Sequence, residues 1–312
     1  MMNGGAIVSY TTTDRYLSSV VLFCDSTATG RIWVNDPDSL VSKTQYESDG
    51  WQRLTKRACF ETTTPNDGME QPRIVSLAPS ATATLAALGV ADQVIGVTAH
   101  CDLDRPTVGG WLNPDYETLA DLDPDLVCTS DGLQREIRDE LQDRGYRVHH
   151  HEPSRLKEVL TGFESLAAAA GVDDAGEQLV ADCRRRLDAV AENISSDDDP
   201  VVYCEEWSDP PMAAGNWVPD AVAAAGGRYP FVDPGDRSRE VDRETVADAD
   251  PDHAVLHICG AGDQVSADRL GERGWSLDAT VHVVDDSLLN QPSPTLIDGI
   301  ELLAEGLYPE RF

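Results

Sequence analysis

The chain has 312 residues, 41% of them hydrophobic, which suits two domains with real cores and not a disordered polymer. It carries 56 acidic against 24 basic residues, a formal net charge of −32, and only three lysines, Lys43, Lys56 and Lys157. Such a surface repels nucleic acid and anionic membranes, no apolar run reaches the roughly 18 residues of a membrane span, and the acidity is the solvated surface expected in a high-salt cytosol.

Residues 1–68 differ from the remainder. They hold eight acids and six bases, whereas the other 244 residues hold 48 and 18. They are rich in Thr and Ser, with one short apolar patch at Val20-Val21-Leu22-Phe23. This segment is expected to be a mis-called or disordered extension, with Met69 as the true start. The run before Cys24 is short for an export signal and puts the bulky Phe23 at the would-be cleavage position. As encoded, the protein is therefore expected in the cytoplasm.

From residue 73 strands alternate with helices. A strand at 74–77 leads into an Ala-rich helix at 82–88 that ends at Gly89. Strands at 93–97 and 125–129 follow, then a helix near 133–144 stopped at Gly145, then a strand at 146–149. An amphipathic helix at 156–170 breaks at Gly171, and a second at 174–194 carries Leu179, Cys183, Leu187, Val190 and Ile194 at helical spacing. The second half repeats the plan, with strands at 201–204, 254–258 and 281–284 and a helix at 218–225. Alternation with short connections predicts an α/β fold of two Rossmann-like lobes joined by a long helix. The boundaries are 69–153 for the N-terminal lobe, 154–195 for the linker helices and 196–312 for the C-terminal lobe.

A repeat supports the two lobes. Glu117-Thr-Leu-Ala-Asp-Leu-Asp-Pro-Asp125 matches Glu244-Thr-Val-Ala-Asp-Ala-Asp-Pro-Asp252 at seven of nine positions. Each copy reads as a short helix ended by Asp-Pro-Asp before an apolar strand, since proline cannot continue a helix and Asp favours turns. Ligands of such sheets bind at the carboxyl ends of the strands, here in the cleft between the lobes.

Arg73-Ile-Val-Ser-Leu-Ala-Pro-Ser80, Gly109-Gly-Trp-Leu-Asn-Pro-Asp115 and the Asp-Pro-Asp-Leu-Val stretch at 123–127 resemble the cobalamin-binding proteins of ABC-type importers. These belong to the helical-backbone (class III) substrate-binding proteins, which also serve iron–siderophore and haem uptake. The likeness runs from about residue 72 to 308. It implies a non-catalytic, monomeric protein that holds cobalamin or a related corrinoid and docks on an ABC permease through Glu117 and Glu244. Members are usually extracytoplasmic. By match, the cleft residues are His100, Cys101, Trp111, Ser130 and Asp131 on the first lobe. On the second they are Trp207, Pro210, Pro211, Trp217, Leu288, Leu289 and Asn290. A broad, largely apolar corrin suits aromatic and aliphatic walls with a few polar groups. His100 stands where cobalamin binders tend to carry a tyrosine, and Leu288-Leu289-Asn290 replaces an aromatic, charged loop. A cytosolic corrinoid carrier or sensor, or an iron–siderophore or haem binder of the same fold, is the alternative.

No catalytic constellation emerges. The seven cysteines form no C-x-x-C pair and are expected to be reduced. In His149-His150-His151 only the first and third share a strand face, too few for a metal site. Cys259-Gly-Ala-Gly262 lacks the G-x-G-x-x-G pattern and any Walker lysine, and Ser80 has no G-x-S-x-G around it.

Overall fold

The computed structural model describes residues 19–23, 31–35, 71–194 and 199–312. The chain divides into two units, Met1–Met69 and Glu70–Phe312. In the first, β1 (Ser19–Phe23) and β2 (Arg31–Asn35) pair antiparallel, so the apolar patch is a strand. The rest of that segment, and with it the expectation of an extension, lies outside the described residues.

The second unit opens with β3 (Ile74–Ser76), α1 (Pro79–Ala87) and β4 (Val94–Val97). Then come α2 (Tyr116–Leu122), β5 (Leu126–Ser130), α3 (Arg135–Asp143) and β6 (Val148–His151). These strands form an all-parallel sheet in the order β4-β3-β5-β6. Both faces are covered, which is why the strands read as continuous apolar runs. Ile74, Leu126 and Cys128 enter one cluster with Leu85, while Val75 and Val127 enter another with Leu119 and Leu141.

Helices α4 (Leu156–Ala170) and α5 (Asp173–Asn193) follow as an antiparallel pair. Each belongs to both lobes. The first half of α4 gives Val159, Leu160 and Phe163 to the C-terminal core, and its second half gives Leu166, Ala167 and Ala170 to the N-terminal core. In α5 the order reverses: Ala175 and Leu179 pack against the N-terminal core, Cys183 and Val190 lie in the C-terminal one. Gly176 lets the pair approach closely, since a Cβ there would lie 2.5 Å from the Ala167 Cβ. The expected linker is thus a shared wall of both cores.

The C-terminal lobe holds β7 (Val202–Ser208), β8 (Pro211–Ala213), α6 (Val218–Ala224), β9 (Arg239–Glu240), α7 (Arg243–Asp248) and β10 (His253–Leu256). It ends with α8 (Arg269–Glu272), β11 (Thr280–Val283) and α9 (Thr295–Leu307). The sheet order is β11-β10-β7-β8-β9, parallel across the first three strands and antiparallel beyond. The expected repetition of the first lobe therefore covers three strands and fails at the fourth. Only Asp209 and Pro210 separate β7 from β8, too short a link for a crossover, so the chain must turn back on itself.

The repeated segment does the same work in both lobes. Asp115 caps α2 by accepting from the Glu117 and Thr118 amides, and Asp242 caps α7 by accepting from Thr245. Asp123 and Asp250 adopt left-handed backbone, φ 47° and 49°, to leave their helices. The carboxylates of Asp125 and Asp252 then accept from the amides of Arg73 and Val201, both at 2.8 Å, which registers β5 beside β3 and β10 beside β7.

Candidate functional site

A cleft of about 480 Å³ lies between the lobes. The N-terminal lobe lines it with Ala78, Pro79 and Ser80 after β3, His100 after β4, Trp111, and Ser130-Asp131 at the end of β5. The C-terminal lobe lines it with Trp217 beside α6, Cys259-Gly260 after β10, and residues 286, 287 and 290–292 after β11. Apart from Trp111 and Trp217, each segment follows a parallel strand, where the chain leaves the sheet and its polar groups become available.

Six of the residues expected at the cleft line it: His100, Trp111, Ser130, Asp131, Trp217 and Asn290. The others do not. Leu289 is fully buried in the C-terminal core and Leu288 packs against it, because the segment between β11 and α9 needs an apolar anchor there. Cys101 packs against the N-terminal core, with its Sγ 3.2 Å from the Thr98 Oγ1. Trp207, Pro210 and Pro211 belong to the β7–β8 hairpin, where the Trp207 indole donates to the Asp209 carbonyl at 2.9 Å and stands 46% exposed. Glu117 and Glu244 are exposed at equivalent positions in the first turns of α2 and α7.

Ser80, whose hydroxyl the sequence reading gives to a helix cap or to a ligand, lines the cleft. Sequence reasoning missed Cys259-Gly260, Asp286 and Ser287, although their places after strands were legible. It also missed Gln134. This fully buried side chain donates to the carbonyls of Leu77 (3.0 Å) and Trp111 (2.6 Å) and accepts from the Ser130 amide (2.7 Å). Its amide group has one acceptor and two donors, so these three bonds fix its orientation and tie three cleft segments together.

Asp131 sits at φ 71°, ψ 153°, a region nearly reserved for glycine and one that costs on the order of 1–3 kcal/mol. It is held there by its amide donating to the His151 carbonyl at 3.1 Å and by its carboxylate accepting from Leu133 at 2.8 Å. Desolvation raises the carboxyl of half-buried Glu206 above the usual range; a bond to Ser238 opposes this, and the charge of Asp131 across the cleft adds to it. Opposite, the amides of Gly260 and Gly262 each donate to Asp286 at 2.9 Å. The glycine loop's donors are thus satisfied by an internal carboxylate. Behind it, His257 is fully buried beside Asn290, and burial depresses its imidazole to about 4.

The histidine run alternates as expected. His149 meets Ser165 on α4 at 2.9 Å and His151 packs on Gly162, whereas His150 meets Thr129 at 2.9 Å. Burial lowers His149 and His151 to about 4. Among the described residues no group of three or more His, Cys, Asp or Glu side chains is arranged to hold a metal ion. Nor is any helix among them long and apolar enough to cross a membrane.

Two lobes, a shared helical wall and a cleft at the strand ends define a substrate-binding protein. The sequence matches the periplasmic binding protein family over residues 74–277, and the chain belongs to that family. It is 28% identical to the ABC transporter substrate-binding lipoprotein YvrC of Bacillus subtilis, over 78% of this chain and 82% of that protein. It is 25% identical to a vitamin B12-binding protein of Vibrio cholerae, over 73% of this chain and 86% of the relative. The crystal structure of the periplasmic vitamin B12-binding protein BtuF of Vibrio cholerae superposes with a TM-score of 0.64 at 22% identity, covering 77% of this chain and 98% of that one. The periplasmic haem-binding protein HutB of the same organism superposes with a TM-score of 0.67 at 18% identity, covering 76% and 99%.

Proposed function

We propose that the protein holds a corrinoid, cobalamin or a close relative, in the inter-lobe cleft and hands it to an ABC permease without chemical change. The observation that carries this reading is the placing of Trp111 and Trp217 on opposite lobes of one cleft, with polar groups from strand ends around them. Trp111 is half-buried and offers the macrocycle an aromatic surface. Trp217 is nearly buried in the C-terminal core, its indole donating to the Leu289 carbonyl at 2.8 Å, and forms the apolar floor opposite. Hydrogen bonds at the rim orient the ligand. The relatives named for vitamin B12 support the same ligand. A haem-binding protein superposes as well, which makes haem the competing ligand in the test.

The proposed binding residues are His100, Trp111, Ser130, Asp131, Trp217 and Asn290, joined by Ser80 and Cys259. In the importer role Glu117 and Glu244 meet basic residues on the permease, and the protein works outside the cytoplasmic membrane. Isothermal titration with cobalamin, haem and a ferric siderophore tests the ligand. One corrinoid per chain, with quenching of indole fluorescence that Trp111→Ala reduces, is expected. Tight binding of haem or siderophore with none of corrinoid overturns the assignment.

A further inference from the structure

Most of the charge around the cleft is negative. Asp131 lines it from one lobe and Asp286 from the other, and Glu206 stands close enough to Asp131 for their charges to interact. Among the described residues that line the cleft, none is Arg or Lys. Arg237 crosses from the C-terminal lobe, but its guanidinium meets Gly132 beside the Glu152 carboxylate, where a Cβ on Gly132 would lie 2.7 Å from each. Asp131 is also held in strained backbone, a cost that concentrates where a side chain serves function.

Carboxylates in a partly water-excluded cleft accept hydrogen bonds strongly and repel other carboxylates. Corrinoids come in two peripheral chemistries on one macrocycle: carboxylic acids, and the acetamides and propionamides that replace them. Amide N–H groups complement Asp131 and the strand-end carbonyls, whereas an ionised rim would face the like charge of Asp131 and Asp286, the neighbouring cation Arg135 being already paired with Glu152. Resting on the corrinoid reading, we propose that the cleft selects amidated corrinoids against carboxylate-bearing ones, and that Asp131 is the principal discriminating residue.

The test compares cobinamide, the amidated macrocycle, with cobyrinic acid, its carboxylate counterpart, by calorimetry on the full chain at one fixed ionic strength. Cobyrinic acid is expected to bind at least about tenfold more weakly. Asp131→Asn is expected to narrow that ratio by strengthening the acid form and weakening the amide. Glu206→Gln, which leaves Asp131 in place, is expected to narrow it less. Equal affinity for the two ligands, or a ratio unmoved by Asp131→Asn in a folded variant, overturns the selection while leaving the corrinoid assignment standing. If Asp131→Asn fails to fold, Asp131→Gly, which suits the positive φ at this position, takes its place, and an unmoved ratio in that variant overturns the selection. Failure of both ligands to bind overturns the corrinoid assignment itself.

Discussion

Replacing Gln134 with Leu tests whether one buried amide organises the cleft. The leucine fills similar space but leaves the Ser130 amide and the Leu77 and Trp111 carbonyls without their partner. An orphaned buried polar group costs about 1–3 kcal/mol, so three of them predict a loss of about 3–6 kcal/mol, allowing for partial relaxation. Gln134→Glu separates geometry from volume. It keeps the acceptor for Ser130 but turns an oxygen toward two carbonyls, so it is expected to be nearly as destabilising at neutral pH and to recover in part when the carboxyl is protonated. Urea unfolding followed by far-UV circular dichroism reads the stability, and titration of the surviving native fraction reads the affinity. The Trp111 loop is expected to loosen, weakening ligand binding about tenfold or more. A Gln134→Leu protein within about 0.5 kcal/mol of the parent, with unchanged affinity, refutes the reasoning.

Glu205 is fully buried and accepts from Tyr203, Ser208 and Arg273, so Glu205→Leu is expected to cost about 3–5 kcal/mol in urea unfolding by stranding the guanidinium. Glu205→Leu with Arg273→Met should cost less than the single change. His257 is held neutral to about 4, below its usual 6.5, so it binds a proton more readily when unfolded. Its contribution is complete above about pH 6.5 and is lost as pH falls to about 4, by up to about 3 kcal/mol; His257→Gln should flatten that part of the stability–pH curve. Glu117→Ala with Glu244→Ala should impair complex formation with a cognate permease, each exposed pair contributing about 0.2–1 kcal/mol, and leave ligand affinity unchanged in calorimetry.

The sequence alone determined the alternation of elements, because apolar periodicity and helix-ending glycines are local properties. The helix expected at 156–170 forms over Leu156–Ala170, and the matching segments at 117–125 and 244–252 do become equivalent caps, turns and strand anchors. Tertiary structure decided what local pattern does not encode. Whether Leu289 faces a ligand or the core depends on the packing of α9, and whether Trp207 meets the cleft depends on a hairpin whose antiparallel return follows from its two-residue link. The role of Gln134 was hidden for the same reason. Its partners lie up to 57 residues away, and only the sheet brings them together. A polar residue near a helix start reads as surface until the fold closes over it, and burial then makes its hydrogen bonds obligatory.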